Sequence, residues 1–182
     1  MRIRLGCAGA AAMLLVMAQA APAFADSPGA KAKVKKITVT SAAFGNNKPI
    51  PGGFTCSGAS ASPPLKYTGV PKSAKDRALI MVDPDLPSGT FVHWVAWHLP
   101  KGGLPEQNVP PGVVQGKNTI GNSAYAGPCP PPGGAPHHYV FTVYAVSKPI
   151  DLAAGASVDE LRTAIKGTVV AQGKLVGTYQ RA

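Results

Sequence analysis

Acidic side chains are scarce in this chain. Eight Asp and Glu stand against eighteen Lys and Arg in 182 residues, a formal net charge of +10. A positive surface favours acidic partners such as phospholipid headgroups. The lysines form no helical basic face and no basic stripe interleaved with aromatics, so a nucleic-acid partner is not expected. Familiar catalytic signatures are also missing. Gly121-Asn122-Ser123-Ala124-Tyr125 lacks the second glycine of a nucleophile elbow. Residues 112–117 (GVVQGK) fall one residue short of a phosphate-binding P-loop and lack its magnesium-binding hydroxyl. There is no C-x-x-C, no H-E-x-x-H and no internal repeat. The common hydrolase and nucleotidase templates therefore receive no support.

The N-terminus has a different character. Arg2 and Arg4 precede a short apolar stretch over residues 8–21, and Ala23-Phe24-Ala25 has the small-residue form of a signal-peptidase site. The apolar stretch is shorter than the ~20 residues of a spanning helix, so no transmembrane anchor is expected. A lipoprotein reading fails because no apolar run precedes Cys7. Residues 1–25 are read as a signal peptide of an exported protein, periplasmic or secreted after cleavage near Ala25. Residues 26–36, with Lys31, Lys33, Lys35 and Lys36, read as a basic flexible lead, and residues 37–182 as one domain. Losing Arg2 and Arg4 leaves side chains of net charge +8. Cys56 and Cys129 then remain outside the cytosol, where a disulfide and two buried thiols are both open.

The domain reads as mainly β. Ile37 and Val39 alternate as a strand does, and residues 45–64 are nearly all turn formers, with Phe54 as an anchor into the core. Residues 78–82, 91–99 and 139–146 are continuous apolar runs of the kind buried on both faces of a sheet. Strict alternation along the second run puts His93 on one face with Phe91, Val95 and Trp97. Residues 101–138 contain hardly any periodic segment, and a loop of that length in a compact domain is usually functional or disordered. One helix is signalled: Ser157-Val158-Asp159-Glu160 has the form of a capping box, and Gly167 is a natural stop. Residues 171–179 read as a last strand.

The polar candidates are Asp83, Asp85, His93, His98, His137 and His138. His137 and His138 are adjacent, so in a strand they face opposite ways and only one can enter a given pocket. That argues against a metal centre, and no metal or cofactor is expected. Taken alone, His93 reads as a core histidine on a backbone carbonyl, and Asp83 and Asp85 as turn carboxylates. Their combination is more suggestive. Residues 83–100 (DPDLPSGTFVHWVAWHLP) and 125–139 (YAGPCPPPGGAPHHY) are both rich in proline, carry histidines and join strands buried on both faces.

These two segments, in this order, resemble the phosphatidylethanolamine-binding protein family, and within it the bacterial Raf-kinase-inhibitor-like branch. The preceding FTCSG and SPPL and the closing DELRTAIKG and AQGKLVGTYQR are similar to the same branch, so the resemblance runs from about Ile37 to Arg181. It implies a β-sandwich around a large antiparallel sheet, with one late α-helix and short peripheral helices. It also implies a small pocket for phosphate-like anions. By motif position the pocket would use Asp83, Asp85 and His93 from the first segment. The second would supply Gly127, Pro130, Pro131, His137 and Tyr139, with Tyr125 at the rim. The chain departs from the pattern at His138, where the family usually has Arg, and at Asn118-Thr119, where the branch often has Asn-Asp. Cysteines are common in this branch at the positions of Cys56 and Cys129, with or without export.

The expected function is that of an exported binding or regulatory protein. Its ligand would be a phosphate-type group or phospholipid headgroup, and the family's precedents add inhibition of kinases or proteases. A protein partner or a second copy of the chain stays open. The alternative is a hydrolase of small esters or phosphoesters, with His93 or His137 as base and Asp83 orienting it. No activated nucleophile supports that alternative, so no catalytic residue is assigned.

Overall fold

The apolar runs assemble into one large sheet, covered on one face by a small sheet and on the other by a helix. The computed structural model describes residues 33–182. The expected signal peptide and its cleavage site lie outside the described residues. The large sheet rests on β5 (Asp76–Leu86), β6 (Gly89–Trp97), β9 (His137–Val146) and β10 (Val169–Tyr179), antiparallel in the order β10-β9-β5-β6. β8 (Val114–Gly116) extends it beyond β6. At the other edge β1 (Lys35–Lys36) and β3 (Lys48–Pro49) run parallel to β10, so the antiparallel sheet becomes mixed there. Lys35 and Lys36, read from sequence as part of a flexible lead, thus pair with Ala171 and Gln172.

The small sheet has the order β2 (Thr38–Thr40), β4 (Leu65–Thr68), β7 (Gly103–Leu104). Val39, Leu65, Tyr67 and Leu104 from it pack against Leu79, Met81, Trp94, Phe141 and Val143 of the large sheet. On the opposite face, Ala78, Ile80, Val95, Trp97 and Val146 pack under Leu161 and Ile165 of α1 (Val158–Ile165). Burial on both faces explains why the central strands read as unbroken apolar runs. Each fully buried Leu, Val or Phe side chain contributes about 1.5–3 kcal/mol. α1 starts where the capping box places it: the Glu160 amide donates to Ser157 Oγ, and the Glu160 carboxylate accepts from the Ser157 amide. Besides α1, the only helical segment among the described residues is a 3-10 turn, Gly52–Phe54, which buries Phe54. The expected set of peripheral helices reduces to that turn.

Two glycines let β10 approach its neighbours. A Cβ at Gly173 would lie 2.0 Å from the Ile37 carbonyl oxygen, and one at Gly177 would lie 2.5 Å from Ile50 Cγ1. Neither position has room for a side chain.

One irregularity sets up the site. Met81 pairs with Trp94 but Val82 with Val92, so a single step along β5 matches two along β6 and His93 is the extra residue of a β-bulge. Val92 keeps company with Val95 and Trp97 in the helix-side core, whereas Trp94 belongs to the sandwich core. The His93 ring lies against Phe91 and Tyr139, at centroid distances of 4.6 and 5.2 Å. Strict alternation had grouped His93 with Val95 and Trp97. The bulge breaks the alternation and turns the imidazole to the sandwich side.

Candidate functional site

The site forms where the sandwich face of the large sheet runs out of apolar residues. On β5 the row Leu79, Met81 continues to Asp83, and on β9 the row Phe141, Tyr139 continues to His137, because every second residue of a strand shares a face. The bulge adds His93. These three side chains line a cavity of about 450 Å3 together with Tyr125, Gly127, Pro130 and Pro131 from the long loop. Leu86, Phe91 and Ile120 give it an apolar side.

Asp83 is 2% exposed, a low value for a carboxylate. Its burial is compensated: Oδ1 accepts from the Asp85 amide at 2.8 Å, and Oδ2 lies 2.7 Å from His137 Nδ1. A carboxylate oxygen accepts, so His137 carries its proton on Nδ1, which leaves Nε2 for a ligand. His93 is held the same way. Its Nδ1 donates to the Ala126 carbonyl at 2.8 Å, while the Ala126 amide donates to the His93 carbonyl at 2.9 Å. Burial pushes the His93 imidazole below its ordinary range, against the opposing pull of the Ala126 carbonyl and the Asp83 charge. The resting His93 ring is therefore neutral near pH 7, with a lone pair on Nε2.

Two residues expected in the pocket stand outside its lining. Tyr139 is fully buried behind the cavity, packed edge-on against His93. Burial, followed by the nearby Asp83 carboxylate, pushes its phenol well up, so it stays protonated. Asp85 turns outward, because a second bulge over residues 84–85 of β5 breaks the pairing between Asp83 and Leu86. Its Oδ2 accepts from the His138 amide at 2.7 Å and lies 2.8 Å from His138 Nδ1. Burial opposes ionisation of Asp85, but the His138 contacts outweigh it and hold the carboxyl below its ordinary range. His138, which replaces the expected Arg, is half exposed and belongs to this outer pair. His98 lies toward the far end of β5, bonded to Asp76, and takes no part.

Cys56 and Cys129 are joined by a disulfide, with Cα atoms 5.3 Å apart, and both residues line the cavity. The bridge ties the 3-10 turn region to the proline-rich loop. Ser60 serves the same junction by accepting from the Gly127 amide at 2.9 Å. Asn118 shapes the far wall: its Oδ1 accepts from the Ile120 and Asn122 amides, and its Nδ2 donates to the Ala124 carbonyl. Sequence reading gave Ser60 no role and registered Asn118 only by motif position. Their side chains fold loops, and only the capping-like spacing of Asn118 to Ile120 leaves a trace in sequence.

The comparisons agree with this architecture. Residues 40–180 match the family model described as phosphatidylethanolamine-binding protein. The chain belongs to the phosphatidylethanolamine-binding protein family. A UPF0098 protein of Pyrococcus horikoshii is 44% identical over 149 residues, covering 78% of this chain and 75% of that protein. The crystal structure of CT736, a phosphatidylethanolamine-binding protein homologue of Chlamydia trachomatis, superposes with a TM-score of 0.76 at 35% identity, covering 81% of this chain and 99% of that one. The crystal structure of Escherichia coli YbcL, a member of the mammalian phosphatidylethanolamine-binding protein family, gives a TM-score of 0.75 at 28% identity, covering 80% of this chain and 99% of that one.

In this family member the donors available to a ligand are few. Backbone amides of a Gly-rich loop are common anion donors. In the long loop here the amides of Ala126, Gly127, Gly133 and Gly134 already donate within the protein, to His93 O, Ser60 Oγ, Arg181 O and Pro131 O respectively. The prolines at 128, 130, 131 and 132 have no amide hydrogen to give. Few loop amides are thus left to an anion, among them that of Cys129, and the imidazoles are the side-chain donors that can carry charge.

Proposed function

We propose that this chain is an exported binding protein whose cavity between Asp83, His93 and His137 holds a phosphate-type group, free or as a phospholipid headgroup. The observation that carries the reading is the pair of imidazoles on one cavity, each with Nδ1 committed to a protein acceptor and Nε2 left over. Protonation at Nε2 turns each ring into a charged donor without disturbing its anchoring bond. The Asp83 carboxylate, instead of repelling the anion outright, balances the imidazolium of His137. A monoprotonated phosphate also donates a proton of its own to an unprotonated Nε2. A cavity of about 450 Å3 suits a headgroup-sized polar ligand with a short apolar neighbour rather than acyl chains.

Regulation of a partner protein, for which kinase and protease inhibition are the family's precedents, would use the same cavity as a dock. Hydrolysis is the second reading. Asp83–His137 has the geometry of an orienting carboxylate and a base. It lacks an activated nucleophile: Cys56 and Cys129 are bridged, and Ser60 Oγ, which accepts from the Gly127 amide, has no hydrogen bond to His93 or His137.

Native mass spectrometry of the protein purified under mild conditions tests the binding reading. A retained mass of a phosphate-bearing small molecule, lost in His137→Ala, supports it. Turnover of an ester or phosphoester by the parent that disappears in His93→Ala would replace it with the hydrolase reading.

A further inference from the structure

A second cavity, of about 560 Å3, lies toward the opposite end of β5. Arg77, at its base, precedes Asp83 by six residues, about 20 Å of extended strand. Arg77 shares the sandwich face with Leu79, and the cavity opens between β4 and the turn that precedes β5. Lys72 and Lys101, both exposed, flank it, and no acidic residue lines it.

The guanidinium of Arg77 is the notable group. Its Nε is buried and has no hydrogen-bond partner, and among the described residues Arg77 makes no ion pair. The adjacent carboxylate does not compensate it. Asp76 is on the other face, where Oδ2 takes His98 Nδ1 at 2.7 Å and the Ile150 amide at 3.0 Å. Asp76 Oδ1 takes the backbone amide of Arg77 itself, at 2.7 Å. Tyr67, whose hydroxyl donates to the Pro100 carbonyl, supplies a phenol beside the cation. Burial pushes that phenol up to about 12 even though the charge of Arg77 pulls the other way. Nε has no exposed surface, so the part of Arg77 open to an anion is the pair of terminal nitrogens, which make no hydrogen bond among the described residues, and arginine's planar fork matches tetrahedral oxyanions.

We propose that Arg77, Lys72 and Lys101 form a second binding site, for a phosphate- or sulfate-like oxyanion, separate from the His93–His137 cavity. The lysines supply diffuse attraction from the rim, and Arg77 supplies the oriented donor at the base. The ligand is the phosphoryl group of a soluble monoester or of an anionic lipid headgroup.

The test is a site-resolved amide NMR titration with inorganic phosphate at about pH 8, read at amides of the second cavity so that any binding at the first, reported by Ala126 and Gly127, is followed separately. Saturable shifts are expected at Val70, Lys72, Lys101 and Gly102, weakened at least tenfold in Arg77→Gln and about fivefold in Lys72→Gln/Lys101→Gln. The lysine pair is exposed, so that variant keeps its fold, and its dispersed spectrum verifies this. His137→Ala should leave these shifts unchanged, so loss of the first site's function does not touch the outcome. Glycerol 3-phosphate and phosphatidic acid vesicles then separate the sources: whichever loses binding in Lys72→Gln/Lys101→Gln identifies the carrier. Absence of saturable shifts at these amides, or equal affinity in wild type and both variants, overturns the proposal.

Discussion

His137 Nδ1 lies 2.7 Å from Asp83 Oδ2, although 54 residues separate the two in sequence. The contact joins the ends of two neighbouring strands, and it fixes one imidazole tautomer at the cavity wall.

Asp83→Asn should reverse that tautomer. The amide oxygen can still accept from the Asp85 backbone, but its nitrogen would then face His137 Nδ1, and two donors cannot pair. His137 is expected to move its proton to Nε2, visible as exchanged ring-nitrogen chemical shifts, with a loss of about 1–3 kcal/mol in denaturant-measured stability. Unchanged ring shifts would show that the pair does not set the tautomer.

His93 should make stability depend on pH in one direction. Its folded pKa lies below the unfolded value near ~6.5, so the unfolded chain binds more protons in between. The contribution is complete above that value and is lost as pH falls through the folded pKa. Urea midpoints taken from about pH 7.5 down to 5 should fall for the parent and fall less for His93→Gln. Parallel profiles would assign the acid sensitivity to another group.

Reduction of the Cys56–Cys129 bridge releases a closure spanning 73 positions. The chain-entropy relation gives up to about 4 kcal/mol for a loop of that length. The double Cys→Ala variant should melt well below the parent and bind phosphate-type ligands more weakly, since the bridge holds the loop that carries Ala126 and Gly127. Equal melting temperatures with and without reductant would contradict this.

Gly173→Ala should destabilise by about 1–3 kcal/mol, because the new Cβ would meet the Ile37 carbonyl at 2.0 Å and force the first strands off β10. The check is chemical denaturation, with hydrogen exchange faster at Ile37, whose amide bonds to Gln172.

Much of this fold was legible because burial on both sides leaves continuous apolar runs, as at residues 78–82 and 139–146, and because a capping box is a local code, as at Ser157–Glu160. β7 and β8 were not visible inside residues 101–138. Strands of two and three residues are too short to carry a period, and they exist only because a neighbouring edge needs a partner. The site was legible in part. The proline-rich segments pointed to Asp83, His93 and His137 by resemblance. The bulge that turns His93 to the sandwich side has no local signature, and neither does the outward rotation of Asp85 to meet His138. Arg77 drew no attention because its lack of a partner is a property of packing, not of sequence.

The most direct test of the His93–His137 cavity is a site-resolved amide titration with sulfate, an anion whose charge stays constant over the range, at about pH 5.5 and about pH 7.5. The expected result is saturable shifts at Ala126 and Gly127 that are at least several-fold tighter at the lower pH and lost in His93→Gln/His137→Gln. Shifts of equal affinity at both pH values, or their survival in the double variant, would contradict imidazoles as the anion's partners.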